Sequence, residues 1–174
     1  MRIQDALNAR QGSIRKVVEA AFKKENPPGA SEIISSLHLE PLQIKDYFTG
    51  KRWWDITLQG LFDDYVGDSS ACLTFMAPAG VEYYLPAYLL MAVEHYYDGG
   101  VVTEDFAYGL KRSIMRDDLY RMGLYGVEKK KAIVEVLVFL WKEYGDEEAL
   151  EAMRAVAMRW GNAYIKAGDQ ELGW

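Results

Sequence analysis

Apolar residues recur at helical spacing along most of this chain. Ile14, Val17, Val18, Ala21 and Phe22 fall at i, i+3, i+4, i+7 and i+8, opposite Arg15, Lys16, Glu19 and Lys23. That is one face of an amphipathic helix. Ser13 suits its cap, or the helix begins nearer Ile3 and tolerates Gly12 at a cost of about 1 kcal/mol. "ENPPGA" stops it, because proline cannot continue a helix and glycine turns the chain.

Leu42, Ile44, Tyr47 and Phe48 predict a short helix entered at Pro41. After "TGKRWW" the pattern predicts another over Asp55 to Val66, with Leu58, Leu61, Phe62 and Tyr65 inward. Pro78 starts a longer one, "VEYYLPAYLLMAVEHYY", whose apolar stripe runs through Val81, Tyr84, Leu85, Tyr88, Leu89, Ala92, His95 and Tyr96. Pro86 lies inside it and frees the carbonyl of Glu82, so a kink or a break is expected there. Val127 to Tyr144 is apolar on nearly all faces from Ala132 to Trp141, which marks a buried helix. A turn at Gly145 then leads to a last amphipathic helix carrying Ala149, Met153, Val156, Ala157, Trp160 and Tyr164 on one face. No stretch alternates as a half-buried strand does, and there is no repeat or long linker. The pattern predicts one all-α domain, a compact multi-helix unit over residues 1 to 174 with a buried C-terminal hairpin of helices.

Composition agrees. A chain of 174 residues, half of them hydrophobic, can bury roughly 70% of its unfolded surface in one core. Such a core needs neither disulfide nor metal. The lone Cys72 sits among apolar neighbours and reads as a small core residue, and a single thiol suits a reducing cytoplasm. The first residues lack a continuous apolar core, so no secretory signal is read, and no apolar run approaches the ~20 residues that span a bilayer.

The search for chemistry returns mostly absences. His38 and Glu40 in "HLEP" resemble the start of a zinc-deaminase signature, but the cysteine pair is missing. There is no HExxH, no phosphate loop and no GxSxG elbow. His95 ends an apolar stripe and reads as a core or boundary residue. The pairs Asp63–Asp64, Glu104–Asp105 and Asp117–Asp118 read as solvated helix ends rather than metal ligands. "KRWW" joins two cations to two indoles, yet that is a slight footprint for nucleic acid in a chain of net charge −6, and packing of the tryptophans as a core corner is the plainer reading.

One charge pattern changes the picture. From Trp53 to Leu110 there is no lysine or arginine, while nine acids occur: Asp55, Asp63, Asp64, Asp68, Glu82, Glu94, Asp98, Glu104 and Asp105. That span carries −9 and the remainder +3. Acids gathered on one face would steer a basic partner, whereas acids pointing in different directions would only keep the surface soluble. Tyr83 and Tyr97 fall off the buried stripe, near Glu94 and Asp98, as tyrosines of a binding surface do.

"GKRWWDITLQGLFDDY" followed by "LTFMAPAGVEYYLPAYLLMAVE" resembles an uncharacterised family of small bacterial proteins, a domain of unknown function. The resemblance rests on Gly50, Lys51, Trp53, Leu73, Phe75, Pro78 and Tyr84 to Leu90, and it covers roughly residues 40 to 145. Ala77 departs from it, standing where a capping Thr or Ser usually precedes the proline. The resemblance supports the fold and carries no activity. It also sets the question of where the hydroxyls of Tyr84 and Tyr88 find partners, with the carbonyl freed by Pro86 as one acceptor.

The expectation is therefore a non-catalytic protein-binding module without cofactor or metal, acting in the cytoplasm. Its concrete form is an immunity protein that neutralises a basic bacterial toxin, a partner that is neither nucleic acid nor membrane. The candidate surface is Asp63, Asp64, Asp68, Tyr83, Glu94, Tyr97, Asp98, Glu104 and Asp105. A carboxylate-dependent enzyme and a self-associating structural subunit remain the alternatives.

Overall fold

The computed structural model describes residues 3–23 and 25–165. Helix α1 (Ile3–Ala21) begins at the earlier of the two expected starts and runs straight through Gly12. One-turn α2 (Ala30–Ile33) and α3 (Leu39–Phe48) follow, then the tight turn Trp53–Asp55. Helix α4 (Leu58–Asp64) is shorter than its pattern predicts, because Thr57 caps it: Thr57 Oγ1 accepts from the Gly60 amide at 3.0 Å. One-turn α5 (Cys72–Phe75) leads into α6 (Pro78–Glu94), and one-turn α7 (Val101–Glu104) into α8 (Phe106–Met115). After one-turn α9 (Asp117–Tyr120) come α10 (Val127–Phe139) and α11 (Glu147–Trp160). The described residues contain no strand, only an isolated bridge between Ile34 and Met76. The fold is all-α.

Helix α6 is the axle. Every residue from Tyr84 to Val93 is buried, so the helix is enclosed on all sides rather than along one stripe. It passes Pro86 unbroken, since neighbours on every face hold it in place. The expected break is absent. His95 is the exposed C-cap residue and lies outside the core. The freed carbonyl of Glu82 is not what the tyrosines use. Tyr84 donates to the carbonyls of Phe48 and Lys51 at 2.7 and 2.8 Å, and Tyr88 reaches Ser69 O at 3.5 Å. A tyrosine side chain carries its hydroxyl away from its own helix axis, so it ties down a neighbouring loop instead.

Helix α10 is also enclosed, with Ile133, Leu137 and Leu140 fully buried. Its last turn, Leu140–Tyr144, widens to a π turn and ends at Gly145, whose φ of 70° is left-handed. Asp146 then caps α11, its Oδ1 accepting from Ala149 N at 3.1 Å. The C-terminal pair forms the expected hairpin, although α11 packs most extensively on α8. Tyr144 and Gln11 donate to Val93 O at 2.6 and 2.9 Å, so the open C-terminal end of α6 is closed by groups from the π turn and α1.

Candidate functional site

The cations absent from residues 53 to 110 arrive from outside that span. Arg52 pairs with Asp55, Lys129 with Glu82 and Arg15 with Glu94, each at 2.6 Å. The Arg15 guanidinium grips Glu94 with two parallel bonds, which holds α1 against α6. Glu94 therefore belongs to a structural clamp and not to an open acidic surface. Of the nine acids, six remain without an ion pair among the described residues: Asp63, Asp64, Asp68, Asp98, Glu104 and Asp105. All six are exposed.

Neighbour relations connect some of these six. Asp63 and Asp64 end α4, and Asp68 follows in the α4–α5 loop, where its Oδ1 accepts from both the amide and hydroxyl of Ser70 at 2.9 and 2.6 Å. Ser70 and Asp105 line the same small cavity, which sets that loop beside α7 and α8. Glu104 is close enough to Tyr96 to contribute to its perturbed phenol. Tyr97, next to it and 75% exposed, lies edge-on to Tyr96 and Tyr144 at 5.2 and 5.5 Å. Asp98 is in the same turn. Interleaved with the acids are exposed apolar side chains, Phe62, Val66 and Val101.

Tyr83 is elsewhere. It is half-buried and donates to Glu25 O at 2.8 Å. At 1.5 Å per residue, it stands roughly 16 Å from the C-terminal end of α6, after which Tyr97 follows. Tyr83 lines a cleft of about 490 Å³ with Phe22, Trp53, Glu82 and Lys129. That cleft is the obvious rival site, but several of its polar groups are already held. Glu82 holds Lys129, Glu32 holds the Gly29 amide at 2.8 Å, and Trp53 Nε1 donates to Lys23 O at 3.4 Å. A ligand drawing on Glu82, Glu32 or the Trp53 indole would have to displace an existing partner. Trp53 is a buried core corner, while Lys51 sits over the Tyr47 ring at 3.3 Å and Arg52 is held by Asp55. The "KRWW" cations are thus occupied by their own neighbours.

Among the described residues no group of three His, Cys, Asp or Glu is placed to hold a metal, and no helix is long and apolar enough to cross a membrane. Asp117 accepts from the Gly123 amide at 2.6 Å, and Asp118 pairs with Arg116, so that acid pair closes a turn. Cys72 is buried, and its thiol is pushed up to about 11 by desolvation.

Sequence reasoning missed Phe62, Val66 and Val101. Phe62 shares the helical face of Leu58, Leu61 and Tyr65 but is 50% exposed, because α4 ends too soon for a neighbour to cover it. Val66 had a signal, an isolated apolar residue within "DDYVGD". Val101 sits in a helix too short to show a period.

Comparison with known proteins returns a family of unknown function (DUF6714), matched over residues 11–164, a span that extends past residues 40 to 145 at both ends. No curated protein and no solved structure matches.

Proposed function

Since the chain belongs to a family of unknown function, DUF6714, we propose a function from its surface: it is a non-catalytic binding module that occupies a basic protein partner. The observation carrying this reading is the set of six exposed, unpaired acids interleaved with exposed Phe62, Val66, Tyr97 and Val101. Apolar and aromatic side chains supply the contact area of protein interfaces, and surrounding charge sets partner choice and encounter rate. The basic stretches of this chain are less suited to recognition. Lys111 pairs with Glu148, Lys129 with Glu82, and Lys130 donates to Gly123 O at 2.7 Å. A cytoplasmic immunity protein masking a basic bacterial toxin is the concrete form of the reading. The single buried thiol of Cys72 suits that reducing compartment.

The test reverses Asp63, Asp64 and Glu104 to lysine together. Asp68 is spared, because its carboxylate closes the turn on Ser70. A partner captured from the host and identified by mass spectrometry is titrated against both proteins at low and moderate salt. The reading expects wild-type affinity to fall with salt and the reversed variant to bind at least tenfold more weakly. Equal affinities with equal salt dependence would move the interface away from this face.

A further inference from the structure

Between α5, α6 and α8 a narrow slot opens beside Asp105. Its free space is about 40 Å³, room for roughly three waters. The floor is apolar and buried, made by Val81, Leu85, Leu110 and Met122. The mouth is polar, with exposed Asp105 on one side and Ser70, held by Asp68, on the other.

Gly109 forms part of its wall. This residue is in the interior of α8, where glycine costs about 1 kcal/mol relative to alanine. Nothing in the packing requires it: a Cβ added there would meet no atom within 4 Å, and its backbone is not in the left-handed region. A side chain there would therefore start from open space at the slot's edge.

We propose that this slot receives one aliphatic side chain of leucine or methionine size from the basic partner, and that Asp105 and Asp68 select a lysine or arginine beside it. The inference rests on the binding-module reading and names the anchor within it. An inserted side chain puts its end on the floor, so an apolar floor demands an apolar end, and a terminal ammonium would be buried unpaired there. The flanking cations stay at the mouth, where they meet carboxylates that have no cation of their own. An apolar anchor in a pocket ringed by polar groups is how interfaces concentrate their affinity.

Three acetylated, amidated tripeptides test this by NMR titration of the full chain: lysine-leucine-lysine, lysine-alanine-lysine and glutamate-leucine-glutamate. The first is expected to bind saturably in the millimolar range, shifting the amides of Gly109, Leu110 and Ser113. The alanine and glutamate peptides are expected to bind at least fivefold more weakly. Gly109→Leu, which sets an aliphatic side chain at the slot's wall from a helix-compatible position, is expected to keep or raise its melting temperature and lose at least tenfold in peptide affinity, with Gly109→Ala intermediate. Equal binding of the leucine and alanine peptides overturns the anchor. Equal binding of the lysine and glutamate peptides overturns the role of the acids, and shifts confined to another surface overturn the slot. Should Gly109→Leu bind the captured partner as well as wild type while the charge-reversed variant does not, the slot fails and the acidic face stands. Should the peptides behave as expected while charge reversal leaves partner binding unchanged, the face fails as the partner's interface.

Discussion

Tyr84 is fully buried, and its hydroxyl donates to two carbonyls of the α3 end and the turn after it. Tyr84→Phe strands both acceptors without changing the shape of the core. The expected cost is about 1–3 kcal/mol by urea unfolding, and an unchanged midpoint would show that the carbonyls find other partners. The buried phenols also tie stability to alkaline pH. Burial raises those of Tyr84, Tyr88 and Tyr125, and burial together with the facing Asp146 carboxylate raises that of Tyr96 from 10.0 to about 12. Raised folded values mean that the stabilisation is fully present below the unfolded value near 10 and drains as pH climbs through 12. Stability should therefore fall steeply between about pH 10 and 12, with tyrosinate absorbance and loss of helical signal rising together. Complete tyrosine ionisation in a chain that stays helical would contradict this. Cys72, buried with its thiol raised to about 11, should react with disulfide reagents only as the chain unfolds. At this scale the sequence placed Tyr84 and Tyr88 inside but not the buried Tyr120 and Tyr125, and it did not show where the hydroxyls of the first two go. Their acceptors belong to residues 19 to 36 positions away, and no local pattern encodes that distance.

Helix identities were largely legible, and their ranks were not. The all-round apolar run of α10 marked a central helix, and Ile133 and Leu137 are fully buried there. Yet α6 is enclosed at every position from Tyr84 to Val93, and its sequence disguised this, because tyrosine counts as half-polar in a periodicity reading. Of the kink or break expected at Pro86, the break does not occur. A proline breaks an exposed helix by freeing a carbonyl, but packing on all faces sustains this one. Helix ends were less legible than helices. α4 is cut short by the Thr57 cap, and the α10–α11 corner combines a π turn, a left-handed Gly145 and the Asp146 cap. Asp146→Ala should cost about 1–2 kcal/mol, lowering the melting temperature by roughly 2–8 °C in a chain of this size. Asp146→Asn retains the Oδ1 acceptor and should recover most of it. Equal melting of the alanine and wild-type proteins would mean that Gly145 alone sets the corner.

Across the whole molecule, the cation-free span was read too simply. Linear sequence showed nine acids without a counter-charge, but folding brings Arg52, Arg15 and Lys129 onto three of them. Glu94 and Tyr83 leave the candidate surface for that reason and for Tyr83's bond to Glu25 O. Among the described residues, six of the nine acids remain without an ion pair, although Asp64 lies near enough to Lys51 to act on its ammonium. Asp63 and Asp64 sit at the C-terminal end of α4, where the helix dipole disfavours negative charge by about 0.3–1 kcal/mol per residue at low salt. Asp63 recovers a little through Gln59, whose amide donates to it at 2.6 Å, an exposed pair of the kind that contributes about 0.2–0.5 kcal/mol. Acids maintained against the dipole, beside exposed Phe62 and Val66, are what a surface kept for a partner would hold, at some expense of the free protein's stability. Reversal of Asp63 and Asp64 to lysine should therefore leave the free chain as stable as wild type or slightly more so, while weakening the partner complex. Thermal melts at low salt, set beside partner titrations of the same two proteins, measure both halves. A drop of several degrees in the free variant would show that these acids hold the fold, and their place at the end of α4 would then say nothing about a partner.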